Sequence, residues 1–318
     1  MNSVKDEKKI FVNVIPDAEE SKVFICEIFP ALYLLINEIN DSVASNRQSY
    51  DEYKTFSPLL INYCVDGRCE VKVEENKYII MDPGIMCIDN NKEIRKPFVC
   101  PTKKYTGVEV IINLDRFACE NADILELLNI SIAGLERFSI KQKSSIFRVG
   151  EPITSICEQL YRKRESTKAT LRILVLQFLN ELNKLEYVKQ QQQDKVFLTR
   201  GQSEIAKAVE RTMTENLKVK FSISSLAEEY GVSATSLKKW FGDLYGAPIS
   251  AYMGSYRMKR AAEQLSNSSK RVIDIALSVG YENQSKFAAA FRRYWGYSPL
   301  EYKRFIQAKT IKGNERNY

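Results

Sequence analysis

The sequence predicts an α+β protein: a strand-rich N-terminal half that folds as a small β-barrel or jelly roll with a helical segment, then an all-α domain with two helix-turn-helix motifs. Three observations predict it. Residues 55–115 break into short apolar runs separated by turn residues. Residues 151–190 space their apolar side chains three and four apart. Two segments of the last third repeat one pattern about fifty residues apart.

In chain order, Ala31–Ile39 reads as a short helix. Leu59–Val65 is a strand running into Asp66-Gly67, and Arg68–Val73 alternates after it, so Asp-Gly predicts a two-residue hairpin. That hairpin would set Cys64 directly opposite Cys69, on a face shared with Val71 and Val73. A redox or thiol-metal switch is then geometrically open, but two buried core thiols fit the shared apolar face better. Tyr78–Met81, the turn Asp82-Pro83-Gly84, Ile85–Ile88 and Val108–Leu114 supply further strands. Ile153, Ile156 and Leu160 begin the helical segment, and Leu171, Leu174, Val175, Phe178, Leu182 and Leu185 form a continuous stripe. In a monomer that stripe must pack on the strand domain; in a dimer it can pair two subunits. Gln190–Asp194 is a low-complexity run and reads as a linker.

The repeat aligns Ala227 with Ala276 and Gly231 with Gly280 at an offset of 49. Ser233 aligns with Asn283, Leu237 with Phe287, Phe241 with Phe291 and Gly246 with Gly296 at 50, and Pro248 with Pro299 at 51. Small Ala lets two helices approach closely. Glycine ends a first helix where φ must be positive. Ser233 and Asn283 are N-cap types that start a second helix. The apolar pairs at i, i+4 face the core, which leaves Thr235, Lys238 and Lys239 free on one second helix and Gln284, Ser285 and Lys286 on the other. Lys and Gln are residue types that read base edges and phosphates. Pro248–Leu265 reads as one helix of about 27 Å at about 1.5 Å per residue, near the length of one DNA turn, about 34 Å.

These residues resemble the AraC/XylS family of bacterial transcription regulators, most closely at Ile275-Ala276, Gly280-Tyr281, Gln284–Phe287, Phe291–Arg293, Gly296, Ser298-Pro299 and Tyr302-Lys303, with Arg257, Ala261 and Leu265 on the connecting helix. The resemblance covers about residues 200–306. It implies a seven-helix DNA-binding domain with base-reading positions at Thr235, Lys238, Lys239, Gln284, Ser285 and Lys286. Arg257 would lie near the DNA backbone or be held in an internal ion pair. Ala288 and Ala289 depart from the family's polar residues, so the second motif reads fewer bases or touches thymine methyls. More weakly, the strand order resembles the cupin-like sensory domain often joined to this DNA-binding domain. The implied organisation is 1–150 cupin-like sensory domain, 151–190 helical dimerisation segment, 191–200 linker, 201–306 DNA-binding domain and 307–318 basic tail. The implied partners are double-stranded DNA, RNA polymerase, a small-molecule effector of unknown identity and a second copy of the chain.

Charge agrees. Residues 196–318 hold 20 Lys+Arg against 11 Asp+Glu, a balance of +9, and residues 1–195 hold 27 against 29, a balance of −2. Phosphate binding needs that positive half; Lys309, Lys312 and Arg316 extend it into a tail read as a solvated end. The chain has no histidine, which excludes a His-ligated metal, a His-dependent triad and a His general base. No C-x-x-C occurs, and the four-cysteine zinc site of DNA-repair methyl acceptors is not matched. No catalytic residue, metal or cofactor is expected. The alternatives are a regulator whose N-terminal half only makes protein contacts, and an enzyme carrying a DNA-binding module. Tyr63, Arg68, Glu70 and Tyr78 are candidate contributors to an effector cavity with none singled out, the effector-binding residues being unknown, and a barrel filled by its own side chains is the alternative. Met1–Glu20 is too charged for a signal peptide, no stretch is long enough to span a membrane, and seven cysteines in 318 residues suit a reducing cytoplasm.

Overall fold

A computed structural model describes residues 10–13, 21–40, 43–44, 58–74, 76–89, 98–137, 145–185 and 197–314. The Gln190–Asp194 run, Arg316 and the leader apart from 10–13 lie outside them. The chain divides into two compact units, 1–199 and 200–318.

The first unit holds β1 (Ile10–Asn13), β2 (Lys22–Phe29), β3 (Leu32–Ile39), β4 (Val43–Ala44), β5 (Leu59–Gly67), β6 (Cys69–Glu74), β7 (Lys77–Met81), β8 (Ile85–Asp89), β9 (Phe98–Val99) and β10 (Tyr105–Ile112). Short helices α1 (Leu114–Glu120), α2 (Ala122–Leu127) and α3 (Ile132–Glu136) follow, then β11 (Ser145–Arg148), α4 (Ile153–Arg162), α5 (Lys168–Lys184) and β12 (Phe197–Thr199). The strands form two antiparallel sheets, in the order β1-β2-β3-β10-β5-β8-β11 and β12-β7-β6-β9-β4. Among the described residues the two sheets are open and form no closed barrel.

Three local expectations are corrected. Ala31–Ile39 is not a helix: Leu32–Ile39 is β3, inserted between β2 and β10. Its apolar run covers both faces of a central strand, and such a run carries no period that tells strand from helix. Asp66-Gly67 does not close a hairpin. β5 continues through Gly67, pairing Asp66 with Thr106 and Gly67 with Tyr105, while β6 pairs with β7 in the other sheet. Gly67 has φ +79, and a Cβ there would overlap the Lys104 carbonyl, so glycine lets the chain cross between sheets. Cys64 therefore faces Gly107 in register and Cys69 faces Met81. Both thiols are buried in one apolar cluster with Cys87, Cys100 and Tyr105. The third correction concerns the last strand: β10 ends at Ile112, and Asn113 caps α1 by accepting from Arg116 N–H at 3.2 Å, so Leu114 is helical.

The α5 stripe is interior to its own unit. Thr167 caps the helix by accepting from Thr170 N–H at 3.3 Å. Leu171, Leu174, Val175, Phe178, Leu179 and Leu182 join one cluster with Phe24, Ile28, Val108, Val110, Phe117 and Ile156. Arg172 donates to the Ile28 carbonyl at 2.9 Å, and Arg137 donates to the Leu182 and Asn183 carbonyls, capping the far end. The stripe that could pair two subunits is thus covered within its own unit.

The second unit is all helix: α6 (Arg200–Glu215), α7 (Ile223–Glu229), α8 (Ala234–Tyr245), α9 (Ile249–Asn267), α10 (Val272–Ser278), α11 (Gln284–Trp295) and α12 (Pro299–Asn314). Phe241 packs against Tyr245 and Tyr252 with ring centroids 4.5 and 5.4 Å apart; Phe291 packs against Phe287 and Tyr302 at 5.7 and 5.4 Å. Each motif thus has its own aromatic centre. α9 lies between them, about 28 Å long for its 19 residues. No helix among the described residues is long and apolar enough to cross a membrane.

Candidate nucleic-acid interface

Each second helix starts at a side-chain cap. Ser233 Oγ accepts from Ser236 N–H at 3.0 Å; Asn283 Oδ1 accepts from Ser285 and Lys286 N–H at 2.8 and 3.0 Å. Each ends at a left-handed glycine, Gly246 (φ 75) and Gly296 (φ 80). Gly231 (φ 64) and Gly280 (φ 83) turn the chain between the helices of each pair. Leu237, Phe241, Phe287 and Phe291 are fully buried, so the opposite faces of α8 and α11 point to solvent.

On α8 that face is the stripe Thr235, Lys238, Lys239 and Gly242, spaced i, i+3, i+4, i+7. Thr235, Lys238 and Lys239 are exposed, and Lys239 pairs with Asp243 at 2.6 Å. Gln284, Ser285 and Lys286 are exposed on the first turn of α11. They are not the register equivalents of the first trio. At the offset of 50, the stripe on α11 is Ser285, Ala288, Ala289 and Arg292; Gln284 and Lys286 flank it. Arg292 is exposed on that stripe, and the sequence reading missed it although the repeat offset points to it. A groove of about 470 Å³ lies beside Lys238, lined by Ile223, Gly242, Pro248 and Ile249. Gly242 stands there where the second motif carries Arg292.

Arg257 sits apart from both stripes. It is half-buried, and its Nη2 donates to the Leu217 carbonyl at 3.2 Å. The start of α12 carries a capping box: Ser298 N–H donates to Glu301 Oε2 at 2.7 Å, and Glu301 N–H to Ser298 Oγ at 3.3 Å. These bonds from Ser298 hold the Glu301 carboxyl below the usual carboxylate range.

The candidate effector contacts in the first unit are engaged in its own packing and ion pairs. Tyr63 and Glu70 are buried, Arg68 pairs with Asp82 at 3.3 Å, and Tyr78 is half-buried. Burial raises the Tyr63 hydroxyl to about 12. Among the described residues no group of three or more Cys, Asp or Glu side chains is placed to hold a metal ion.

A helix-turn-helix domain family model matches residues 226–304. The chain is 32% identical over 93 residues to VirF, the virulence regulon transcriptional activator of Yersinia enterocolitica, a match covering 29% of this chain and 34% of VirF. It is 31% identical over 105 residues to the HTH-type transcriptional activator AarP of Providencia stuartii, covering 33% of this chain and 78% of AarP. The chain belongs to the AraC/XylS family of transcriptional regulators. Among solved structures, the C-terminal domain of AraT, a response regulator from Geobacillus stearothermophilus, aligns at 27% identity over 32% of this chain and 84% of that one, with a TM-score of 0.31. The chain spans about a third of the length of the Yersinia relatives it matches. The AraC/XylS match lies in the second unit and leaves the two-sheet unit outside it.

Proposed function

We propose that this AraC/XylS regulator binds double-stranded DNA by placing α8 and α11 in successive major-groove segments on one face of the duplex. The observation that carries the reading is the pair of capped second helices, each with its apolar face buried and its polar stripe exposed, on a segment of charge +9. Phosphate contacts supply most of the affinity, and the two stripes supply sequence preference. Thr235, Lys238, Lys239, Gln284, Ser285 and Lys286 are the proposed base and phosphate contacts, with Arg292 added from the register of the repeat. RNA polymerase is the proposed protein partner, a small-molecule effector the proposed control through a cupin-like first unit, and a homodimer the proposed assembly. The engagement of Tyr63, Arg68 and Glu70 within their own unit favours a second reading, in which that unit makes protein contacts without a ligand.

Duplexes captured by the full chain from fragmented genomic DNA test the reading. Lys238→Ala and Gln284→Ala should each weaken binding to a captured site more than to random duplex, by about 1–3 kcal/mol in discrimination. Equal losses on both DNAs would mean that these side chains touch phosphates only. Failure to bind any duplex at low salt would remove the reading. A metabolite that raises the melting temperature of the first unit would separate the ligand-controlled form from the ligand-free one.

A further inference from the structure

Both helix-turn-helix motifs pack on α9. The structure contains a second connection. Just after α6 the chain turns, Val219 N–H donating to Asn216 O at 2.9 Å, and Leu217 leaves the first motif to pack, half-buried, on the core of the second. That core is built from Met258, Ile275, Phe287 and Phe291, among others. Arg257 of α9 donates to the Leu217 carbonyl oxygen at 3.2 Å. The same oxygen abuts Gly280 in the turn of the second motif, so closely that no Cβ would fit. Lys220, three residues on, pairs with Glu282 of that turn at 2.7 Å. Gly231, the matching glycine of the first motif, has open space where its Cβ would be. The close approach of this loop therefore falls at the turn glycine of the second motif and not at that of the first.

We propose that the Leu217–Lys220 segment and Arg257 form a spacer lock: they hold α8 and α11 in one mutual orientation and so set the number of base pairs between the two DNA segments that the regulator accepts. Arg257 is then a positioning residue. The proposal rests on the DNA-binding reading above. One extra base pair displaces the second segment by about 3.4 Å and rotates it by about 35°. Two motifs joined at two non-collinear places cannot follow that change, and motifs joined by α9 alone can.

The test uses the full chain in two assays. In the first, spin labels are introduced by non-cysteine chemistry at 239 and 289, equivalent positions on α8 and α11, and the distance between them is measured by pulsed EPR without DNA. The wild-type distribution should be narrow and single, that of Arg257→Met broad, and that of Arg257→Lys narrow again. In the second, unlabelled proteins bind a captured site and the same site with one base pair inserted between its two segments. Wild type should lose about tenfold in affinity, equivalent to about 1.4 kcal/mol, and Arg257→Met should lose less than about threefold, equivalent to about 0.65 kcal/mol. A broad wild-type distribution overturns the lock whether or not Arg257→Met folds. So does a narrow one in folded Arg257→Met. A chain that binds no duplex overturns the regulator reading instead, since the EPR distances do not depend on DNA.

Discussion

Gly231→Ala and Gly280→Ala are the same change at matching places in the two motifs, and the structure separates them. Both residues sit in the left-handed region, at φ 64 and φ 83, where an L side chain costs about 1–2 kcal/mol. For Gly231 that is the whole expected loss, because a Cβ there meets nothing within 4 Å. For Gly280 a Cβ would lie inside 3.0 Å of the Leu217 carbonyl, which is backbone and cannot swing aside. The loop must move, and the Arg257–Leu217 hydrogen bond goes with it, a further loss of about 0.5–1.5 kcal/mol. Leu217 also loses part of its packing on the second motif, about 1 kcal/mol for each methylene-sized group returned to water. The expected losses are about 1–2 kcal/mol for Gly231→Ala and about 3–5 kcal/mol for Gly280→Ala. At about 4 °C per kcal/mol for a unit of this size, the two midpoints should differ by about 10 °C. The assay can be run on the full chain, because both tryptophans, Trp240 and Trp295, lie in the second unit and their fluorescence follows its unfolding alone. Equal midpoints for the two variants would refute the close approach at Gly280 and the loop placement with it.

Phe178→Ala should destabilise the first unit by about 3–5 kcal/mol, read as a lower urea midpoint in sheet circular dichroism; a variant of full stability that falls from dimer to monomer would mean that the stripe is an interface after all. Native alkylation with a maleimide at neutral pH should modify exposed Cys119 and spare Cys64, Cys69 and Cys157, which are buried, with burial pushing the Cys64 and Cys157 thiols up; labelling of Cys64 at the rate of Cys119 would contradict the buried cluster. Acid should weaken the second unit. Ser298 holds Glu301 low, Lys220 holds Glu282 low and Arg271 holds Asp274 low, so each contributes stability above its unfolded value, about 4.3 for Glu and 3.9 for Asp, and loses it as pH falls through the lower folded one. The tryptophan-detected midpoint should be flat from about pH 7 to 5 and fall below about pH 4; a rise on acidification would reverse the sign.

What the sequence shows here is what local rules govern. An N-cap, a left-handed glycine and an i, i+4 apolar pair each act within one or two turns of chain, so Ser233, Asn283, Gly246, Gly296 and the four buried Leu and Phe residues fall where spacing places them. Strand pairing does not work that way. β5 finds its partners in β10, where Leu59 meets Ile112, and in β8, and nothing near Asp66-Gly67 records that the strand continues past a pair of residues that usually closes a hairpin. The stripe on α5 states that one face must be covered; whether a sheet of the same chain or a second subunit covers it depends on surfaces far away in sequence. Arg292 is legible, since the offset of 50 that aligns the caps also aligns it with Gly242, but the family resemblance puts the base-reading positions on Gln284, Ser285 and Lys286. Gly231 and Gly280 show the limit most sharply. Sequence gives both the same reason, positive φ, and that reason holds for both. The second reason, the Leu217 carbonyl pressed against Gly280 and tied to Arg257, comes from a loop some sixty residues upstream that the first motif needs only as a connector. A repeat that preserves local chemistry in both copies can thus place the coupling between the copies in only one of them.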